Sequence, residues 1–162
     1  MAAIQGDIEM TQKLRDPGTE IKFGHLPDLI GYQLRLAQIA IFRDFAMTLG
    51  ELEVTPGLFG VLVIIEANPG LKQTELAKAT HLDRSTVVSV IDNLERRALV
   101  ERRAATSDRR SNSLHLTADG KVLLKKLKKL VTEHEQRLKG NLSDAEQATL
   151  IRLMRKILPE HR

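Results

Sequence analysis

The chain has 162 residues, of which 42% are hydrophobic, so it is long enough for one domain of ordinary size with its own core. It contains no cysteine, which excludes disulfides, thiolate metal sites and thiol-based redox sensing. Lys and Arg outnumber Asp and Glu by 25 to 21 and only 3% of residues are aromatic, a balance that favours duplex phosphates over base stacking on single strands.

The N-terminal arm, residues 1–24, is polar and is broken by Pro17 and Gly18. It has no apolar segment of the kind found in secretory signals. The apolar stretch at 34–49 is too polar for a membrane span, because it contains Arg35, Gln38, Arg43 and Asp44. These features predict a soluble protein of the cytoplasm.

A long helix is predicted from Pro27 or Asp28 to Gly50. Its apolar positions cover more than one side: Leu29, Ile30, Leu34, Leu36, Ala37, Ile39, Ala40, Ile41, Phe42, Phe45, Ala46 and Leu49. A helix that is apolar on several sides needs several neighbours. One of them is a second helical layer or a second copy of the chain.

The next helices have the pattern of a helix-turn-helix. Thr55 and Pro56 begin an apolar helix that ends at Asn68-Pro69-Gly70, a short helix follows in LKQTELAKATHLD, and Asp83 then caps an amphipathic helix. The apolar side of this last helix repeats every three or four residues: Val87, Val90, Ile91 and Leu94. The other side carries groups that suit base edges and phosphates in a major groove: Arg84, Ser85, Ser89, Asn93 and Arg96.

A basic β-hairpin is predicted next, with strands at Leu99–Arg103 and Ser113–Leu116. The connecting ATSDRRSN is polar and rich in turn formers, which predicts a loop. From Arg96 to Arg110, six arginines less two acids give +4, which equals the formal charge of the whole chain. Arginine runs are often only solvated surface, but their position around a helix and a hairpin favours DNA contact.

Two helices are predicted in the C-terminal part of the chain. Thr117 caps the first, and Ser143 with Glu146 forms a capping box for the second. The first has a lysine cluster, which is either a solvated face or a DNA contact, the solvated face being favoured: Lys121, Lys125, Lys126, Lys128 and Lys129. The second has an apolar side: Leu150, Leu153, Met154, Ile157 and Leu158. The terminal helices thus have more apolar surface than one small lobe covers, which favours a two-fold dimer.

The segments GLKQTELAKATHLDRS, LVERR and SDRRSNSLHLTADG together resemble the winged helix-turn-helix of the MarR family of transcriptional regulators. The resemblance covers residues 25–158, and its specific part is the recognition helix with the wing. The wing signature lies in Asp108, Arg109 and Arg110, and the family's LTxxG follows it.

Two departures from the family pattern bear on function. Ala98 stands where the family often has a glycine, so the helix before it ends differently or with strain. Val88 and Ser89 stand where the family often has a long polar or basic residue. Base readout by this helix is therefore expected to be sparse.

The resemblance implies a mainly α fold with a small β-hairpin wing (α+β), a winged helix-turn-helix with dimerisation helices at both ends. It assigns 25–53 to the N-terminal dimerisation helix, 54–117 to the DNA-binding lobe and 118–162 to the C-terminal dimerisation helices. A homodimer would present two recognition helices to successive major grooves, roughly 34 to 36 Å apart, on a palindromic operator in double-stranded DNA.

The expected contacts with DNA combine the recognition helix and the wing. Asp108 is given a structural role in the wing. The residues expected to contact DNA are Arg84, Ser85, Thr86, Ser89, Arg96, Arg97, Arg109 and Arg110.

The resemblance also implies a repressor that a small aromatic or phenolic carboxylate releases from DNA. Such effectors bind between the dimer helices and the DNA lobe in the family, where His25, Tyr32 and Arg35 are the polar groups of this chain. Tyr32 is equally explained as an interface aromatic, and Arg35 as a surface charge. No cofactor and no metal are expected.

Enzymatic motifs are not found. His134-Glu135 begins like the HExxH of zinc proteases, but Leu138 stands at the position of the second histidine. The sequence has no Gly-rich phosphate loop and no GxSxG. An architectural DNA-bending protein without an effector and a protein-binding winged helix remain as alternatives. Binding confined to one operator and reversed by a small molecule would distinguish a regulator from both.

Overall fold

The computed structural model describes residues 21–105, 108–140 and 142–158, and of residues 105 and 108–112 it describes the backbone only. These ranges contain six α-helices and three strands: α1 (Ile30–Leu49), α2 (Pro56–Ala67), β1 (Leu71–Lys72), α3 (Gln73–Thr80), α4 (Arg84–Arg96), β2 (Val100–Ala105), β3 (Asp108–Leu116), α5 (Ala118–Lys139) and α6 (Asp144–Ile157). The predicted class, mainly helical with a small β wing, is confirmed. The chain divides into two compact units between Ile39 and Ala40.

The first unit contains the start of α1. The helix is expected to begin at Pro27 or Asp28, but these residues form a separate 3-10 turn. Leu29 is extended, with ψ 126°, and so interrupts the helical path before Ile30. The side chain of Gln33 donates a hydrogen bond of 2.6 Å to the carbonyl of Pro27, which holds the turn against the first turn of the helix.

The second unit has one hydrophobic core. It is built from the end of α1, from α2 to α5 and from the sheet, and its fully buried side chains include Leu49, Leu62, Ile65, Leu76, Ile91, Leu94, Leu114, Leu124 and Leu127. The predicted helix caps form in this unit. Thr55 accepts a hydrogen bond from the backbone N–H of Leu58, and the Ser143–Glu146 capping box is complete. These caps fix the helix starts where the sequence placed them.

The wing differs from the expected hairpin in two ways. A third strand, β1, pairs antiparallel with β3, so the order in the sheet is β1-β3-β2. The strands are also longer than predicted, because β2 reaches Ala105 and β3 begins at Asp108. The prediction of a loop at 105–112 was therefore wrong for most of its length. Strand pairing uses backbone groups, so a polar sequence does not prevent it.

The turn between α4 and β2 ends the helix in a left-handed residue that is not glycine. Ala98 has φ 53°, and its N–H donates to the carbonyl of Glu95. The N–H of Leu99 donates to the carbonyl of Leu94, which completes a Schellman motif. Alanine in this conformation costs roughly 1 to 2 kcal/mol. The expected strain is present, and the helix ends as it would with glycine.

The LTxxG segment closes the lobe against this turn. Thr117 donates its hydroxyl proton to the carbonyl of Ala98 at 2.6 Å and accepts from the N–H of Gly120 at 2.9 Å. Gly120 lies so close to Leu99 that an added Cβ would be 2.0 Å from the Leu99 carbonyl oxygen. The glycine is therefore required by the close approach of α5 to the end of the recognition helix.

In the part of the chain that the structure describes, no single helix is both long and apolar enough to cross a bilayer. The segments Ile30–Leu52 and Pro56–Ala67 meet the length and composition criteria only when taken together as a bent pair.

Candidate nucleic-acid interface

The N-terminus of α4 is fixed by Asp83. Its carboxylate accepts the N–H of Thr86 at 2.8 Å and the hydroxyl protons of Ser85 and Thr86 at 2.5 and 2.6 Å. These hydrogen bonds, the one from the Ser85 hydroxyl first, hold the pKa of the Asp83 carboxyl far below its usual range. The cap thus stays ionised, and the two hydroxyls keep acceptor lone pairs for another partner.

The two sides of α4 are separated as the sequence predicts. Val87, Ile91 and Leu94 are buried in the core. Six positions are exposed: Arg84, Ser85, Val88, Ser89, Asp92 and Arg96. Thr86 and Asn93 are half-buried. The helix phase is confirmed, whereas the DNA contacts assigned to these side chains stay predictions.

An open cleft of about 480 Å³ runs along one edge of this exposed side. It is lined by one side of α4 with the residue that caps its end, and by one residue before and one within α2: Ser85, Thr86, Ser89, Val90, Asn93, Arg97, Glu53 and Leu58. The Ser85, Thr86 and Ser89 side chains therefore border open space on the side of α4 assigned to DNA.

Arg102 joins the wing to the recognition helix. Its guanidinium donates to Asp92 at 2.7 Å and also pairs with Glu95, while its backbone N–H donates to Glu95 at 3.0 Å. Arg102 therefore offsets part of the negative charge of Asp92 and Glu95 and holds β2 against α4.

Two more arginines of the basic cluster are engaged within the chain. Arg97 donates to the carbonyls of Glu53 and Leu52, at 2.9 Å each, and Arg103 pairs with Glu101 at 2.5 Å. Arg103 is thus ion-paired, whereas Arg97 keeps its charge but has two N–H groups committed to carbonyls. The DNA contact predicted for Arg97 stays a prediction, with two of its donors already in use.

Next to the tip of the wing, residues 105 and 108–112 are described in their backbone only. Asp108, Arg109 and Arg110 lie in β3, which pairs with β2 up to Ala105 across a register shift. Their side chains lie outside the described residues. The structural role predicted for Asp108 and the DNA contacts predicted for the two arginines remain untested.

A polar cluster around the buried His134, which the sequence did not reveal, ties α1 to α5 in the second unit. His134 is 2% exposed, its Nδ1 lies 2.5 Å from a carboxylate oxygen of Asp44, and its ring meets Phe45 edge-on at 5.4 Å. Arg137 donates to the same carboxylate at 3.1 Å and to the hydroxyl of Thr48. These bonds, with that from His134 foremost, hold the pKa of Asp44 below its usual range. The cluster is a structural link and not part of the exposed side of α4.

The three residues expected to bind an effector lie in the first unit. His25 precedes the 3-10 turn, and Tyr32 and Arg35 are one helical turn apart in α1. The Tyr32 ring lies 6.5 Å from the ring of Phe23, at 45°. His25 and Arg35 are exposed and Tyr32 is half-buried. The effector role of all three remains a prediction.

A capped helix with a polar exposed side, preceded by a short helix and followed by an antiparallel wing, defines a winged helix-turn-helix DNA-binding protein. The model of the MarR family matches residues 54–111. A putative transcriptional regulatory protein for the hcr operon of Thauera aromatica is 42% identical over 85% of this chain and 84% of its own length. The chain belongs to the MarR family.

Solved structures agree with this assignment. The transcriptional repressor CouR bound to a 23-mer DNA duplex superposes with a TM-score of 0.81 at 40% identity, over 86% of this chain and 99% of CouR. CouR bound to p-coumaroyl-CoA superposes with a TM-score of 0.80 at 37% identity, over 87% of this chain and 99% of CouR. A third structure is BpsR of Bordetella bronchiseptica, whose DNA binding is regulated by 6-hydroxynicotinic acid. It superposes with a TM-score of 0.76 at 27% sequence identity, over 86% of this chain and 97% of BpsR. The protein is a DNA-binding transcriptional regulator and not an enzyme.

Proposed function

We propose that the protein is a homodimeric repressor that binds a palindromic operator and is released by a small aromatic effector. The observation that carries the proposal is the exposed polar side of α4, fixed by Asp83 at its start and by Arg102 along its length. The chain is similar to CouR, a repressor solved with a DNA duplex and with p-coumaroyl-CoA. This similarity supports both the binding to DNA and the release by an aromatic effector.

The dimer is inferred from α6. None of its residues is buried, and its apolar side chains form one stripe along the helix: Leu150, Ile151, Leu153, Met154, Ile157 and Leu158. A stripe of this size on a soluble protein marks an interface. We assign residues 25–53 and 118–162 to dimerisation and 54–117 to DNA binding. A second copy would cover the stripe by two-fold symmetry and provide the second recognition helix.

The roles at DNA follow from position along α4. Arg84 and Arg96, near the two ends of the helix, are assigned to phosphates, and Ser85, Thr86 and Ser89 to the major groove. Arg109 and Arg110 are assigned to the backbone or the minor groove, where contact carries little base information beyond groove width.

Replacing Arg109 or Arg110 by alanine is expected to weaken binding to all duplexes alike. Each lost phosphate contact reduces the magnitude of the slope of log K against log salt concentration by about one. A substitution present in both protomers therefore reduces it by about two. The measurement is duplex affinity by fluorescence polarisation across a salt series. Arg103→Ala is the matched control, since Arg103 is a wing arginine already paired with Glu101. If the slope is unchanged in both tip variants, the wing does not contact DNA.

The effector is inferred to be an aromatic acid or its thioester. Phe23 and Tyr32 offer aromatic surface, and Arg35 offers a positive charge one turn from Tyr32. A ligand that binds the DNA-free form about 100-fold more tightly than the DNA-bound form weakens operator binding by up to about 2.7 kcal/mol. It would do so by changing the distance between the two recognition helices of the dimer.

The effector proposal is tested with a duplex enriched from a random-sequence pool by the full-length protein. We expect p-coumaroyl-CoA or p-coumarate to lower its affinity at least tenfold, and CoA alone to have no effect. Arg35→Ala should reduce the response to ligand, whereas Arg43→Ala, in the same helix, should not. If the protein binds the duplex tightly and no aromatic acid or thioester releases it, the second candidate function is favoured, a constitutive architectural DNA-binding protein.

A further inference from the structure

An apolar side chain, Val88, lies on the exposed side of the recognition helix. It is 44% exposed, whereas Val87 and Ile91, which face the core, are 1% and 0% exposed. Its neighbours one turn before and after are polar and exposed: Arg84, Ser85 and Asp92. Val88 therefore forms an isolated apolar spot on a surface otherwise made of hydroxyls and charges.

The polar groups around Val88 mostly present acceptors. The hydroxyl proton of Ser85 is donated to Asp83, and that of Ser89 to the carbonyl of Ser85 at 3.1 Å. Asp92 is a carboxylate held by Arg102. This part of α4 thus combines acceptor oxygens with one pair of valine methyl groups.

In the major groove, the C5 methyl of thymine is the apolar group that a base pair presents, and adenine presents the N6 donor beside it. Cytosine also presents an amino donor, so the acceptors alone do not choose between the pairs, whereas an exposed valine matches the methyl that only the A·T pair has. We propose that Val88 is a specificity-determining residue that contacts the methyl group of a thymine in the operator. The proposal rests on the placement of α4 in the major groove put forward above.

The test uses the enriched duplex and replaces each thymine in turn by deoxyuridine, which removes only the methyl group. We expect one position in each half-site at which the wild-type protein loses affinity about fourfold, the effect of uncovering one buried methyl. Val88→Ala removes the contact in both protomers, so binding to the thymine duplex should fall by roughly sixteenfold and the deoxyuridine effect should disappear at both positions.

Two controls keep the result specific. Alanine is a better helix former than valine and Val88 is outside the core, so Val88→Ala should keep its thermal stability. Ser85→Ala should lose affinity but retain the deoxyuridine effect. If no thymine position shows the effect, or if it persists in Val88→Ala, the role of Val88 is overturned although DNA binding stands. If the protein enriches no sequence, the proposed function itself fails.

Discussion

Placing two aspartates on the apolar stripe of α6 is expected to convert the proposed dimer into monomers. Leu150 and Leu153 are each 46% exposed within one chain, so Leu150→Asp with Leu153→Asp leaves the core of the chain intact. Burying two carboxylates between two copies of α6 would cost several kcal/mol per protomer. Sedimentation velocity measures the loss of the dimer directly.

The loss of the dimer should also appear in DNA binding. A monomer has one recognition helix and half of the phosphate contacts, so affinity for the enriched duplex should fall towards roughly 10⁻⁴ to 10⁻⁶ M at physiological salt. Ala148→Asp is the matched control. Ala148 lies two residues before Leu150, which is a rotation of about 200° around the helix axis, so its charge would lie on the other side of α6. A double variant that stays dimeric and binds tightly would show that α6 is not the interface.

Replacing Gly120 by alanine is expected to destabilise the fold strongly. The added Cβ would meet the carbonyl oxygen of Leu99 at 2.0 Å and its carbon at 2.9 Å, and these are backbone atoms that cannot rotate away. Either α5 or the turn after α4 must shift, at a cost of about 3 kcal/mol or more. For a chain of this size the melting temperature should fall by on the order of 10 °C.

Gly60→Ala, in the middle of α2, is the matched control for this substitution. An added Cβ there meets nothing within 4 Å, so the same chemical change should raise the free energy of unfolding by about 1 kcal/mol through helix propensity alone. Thermal and urea unfolding of both variants measure the difference. Equal stability of Gly120→Ala and the parent chain would contradict the close approach of α5 to Leu99.

The local features of the fold could be predicted from the sequence because each depends on nearby residues. Asp83 as a cap and the three- and four-residue spacing of Val87, Ile91 and Leu94 define α4 without any knowledge of the rest of the chain. The same holds for the start of α2 and for the capping box of α6. Helix phase and helix starts therefore agree with the structure, apart from the starts of α1 and α3.

The features that were missed depend on partners far away in the sequence. The two residues of β1 have no strand pattern, and they form a strand only because Leu71 and Lys72 pair with Leu114 and Ser113 of β3. Likewise, Arg97 binds carbonyls 44 and 45 residues earlier in the chain, and His134 meets Asp44 across 90 residues. A count of arginines treats such residues as free charges, whereas the fold uses some of them as internal ties.

The three-stranded sheet has a consequence for how this regulator can be switched. β1 leads directly into α3, and β3, its partner in the sheet, carries the wing. Arg102 makes a second tie between β2 and α4. These two ties are expected to make the wing and the helix-turn-helix resist bending against each other. An effector of the kind proposed above would then act by changing the spacing of the two DNA-binding lobes on the duplex, and not the conformation of either lobe.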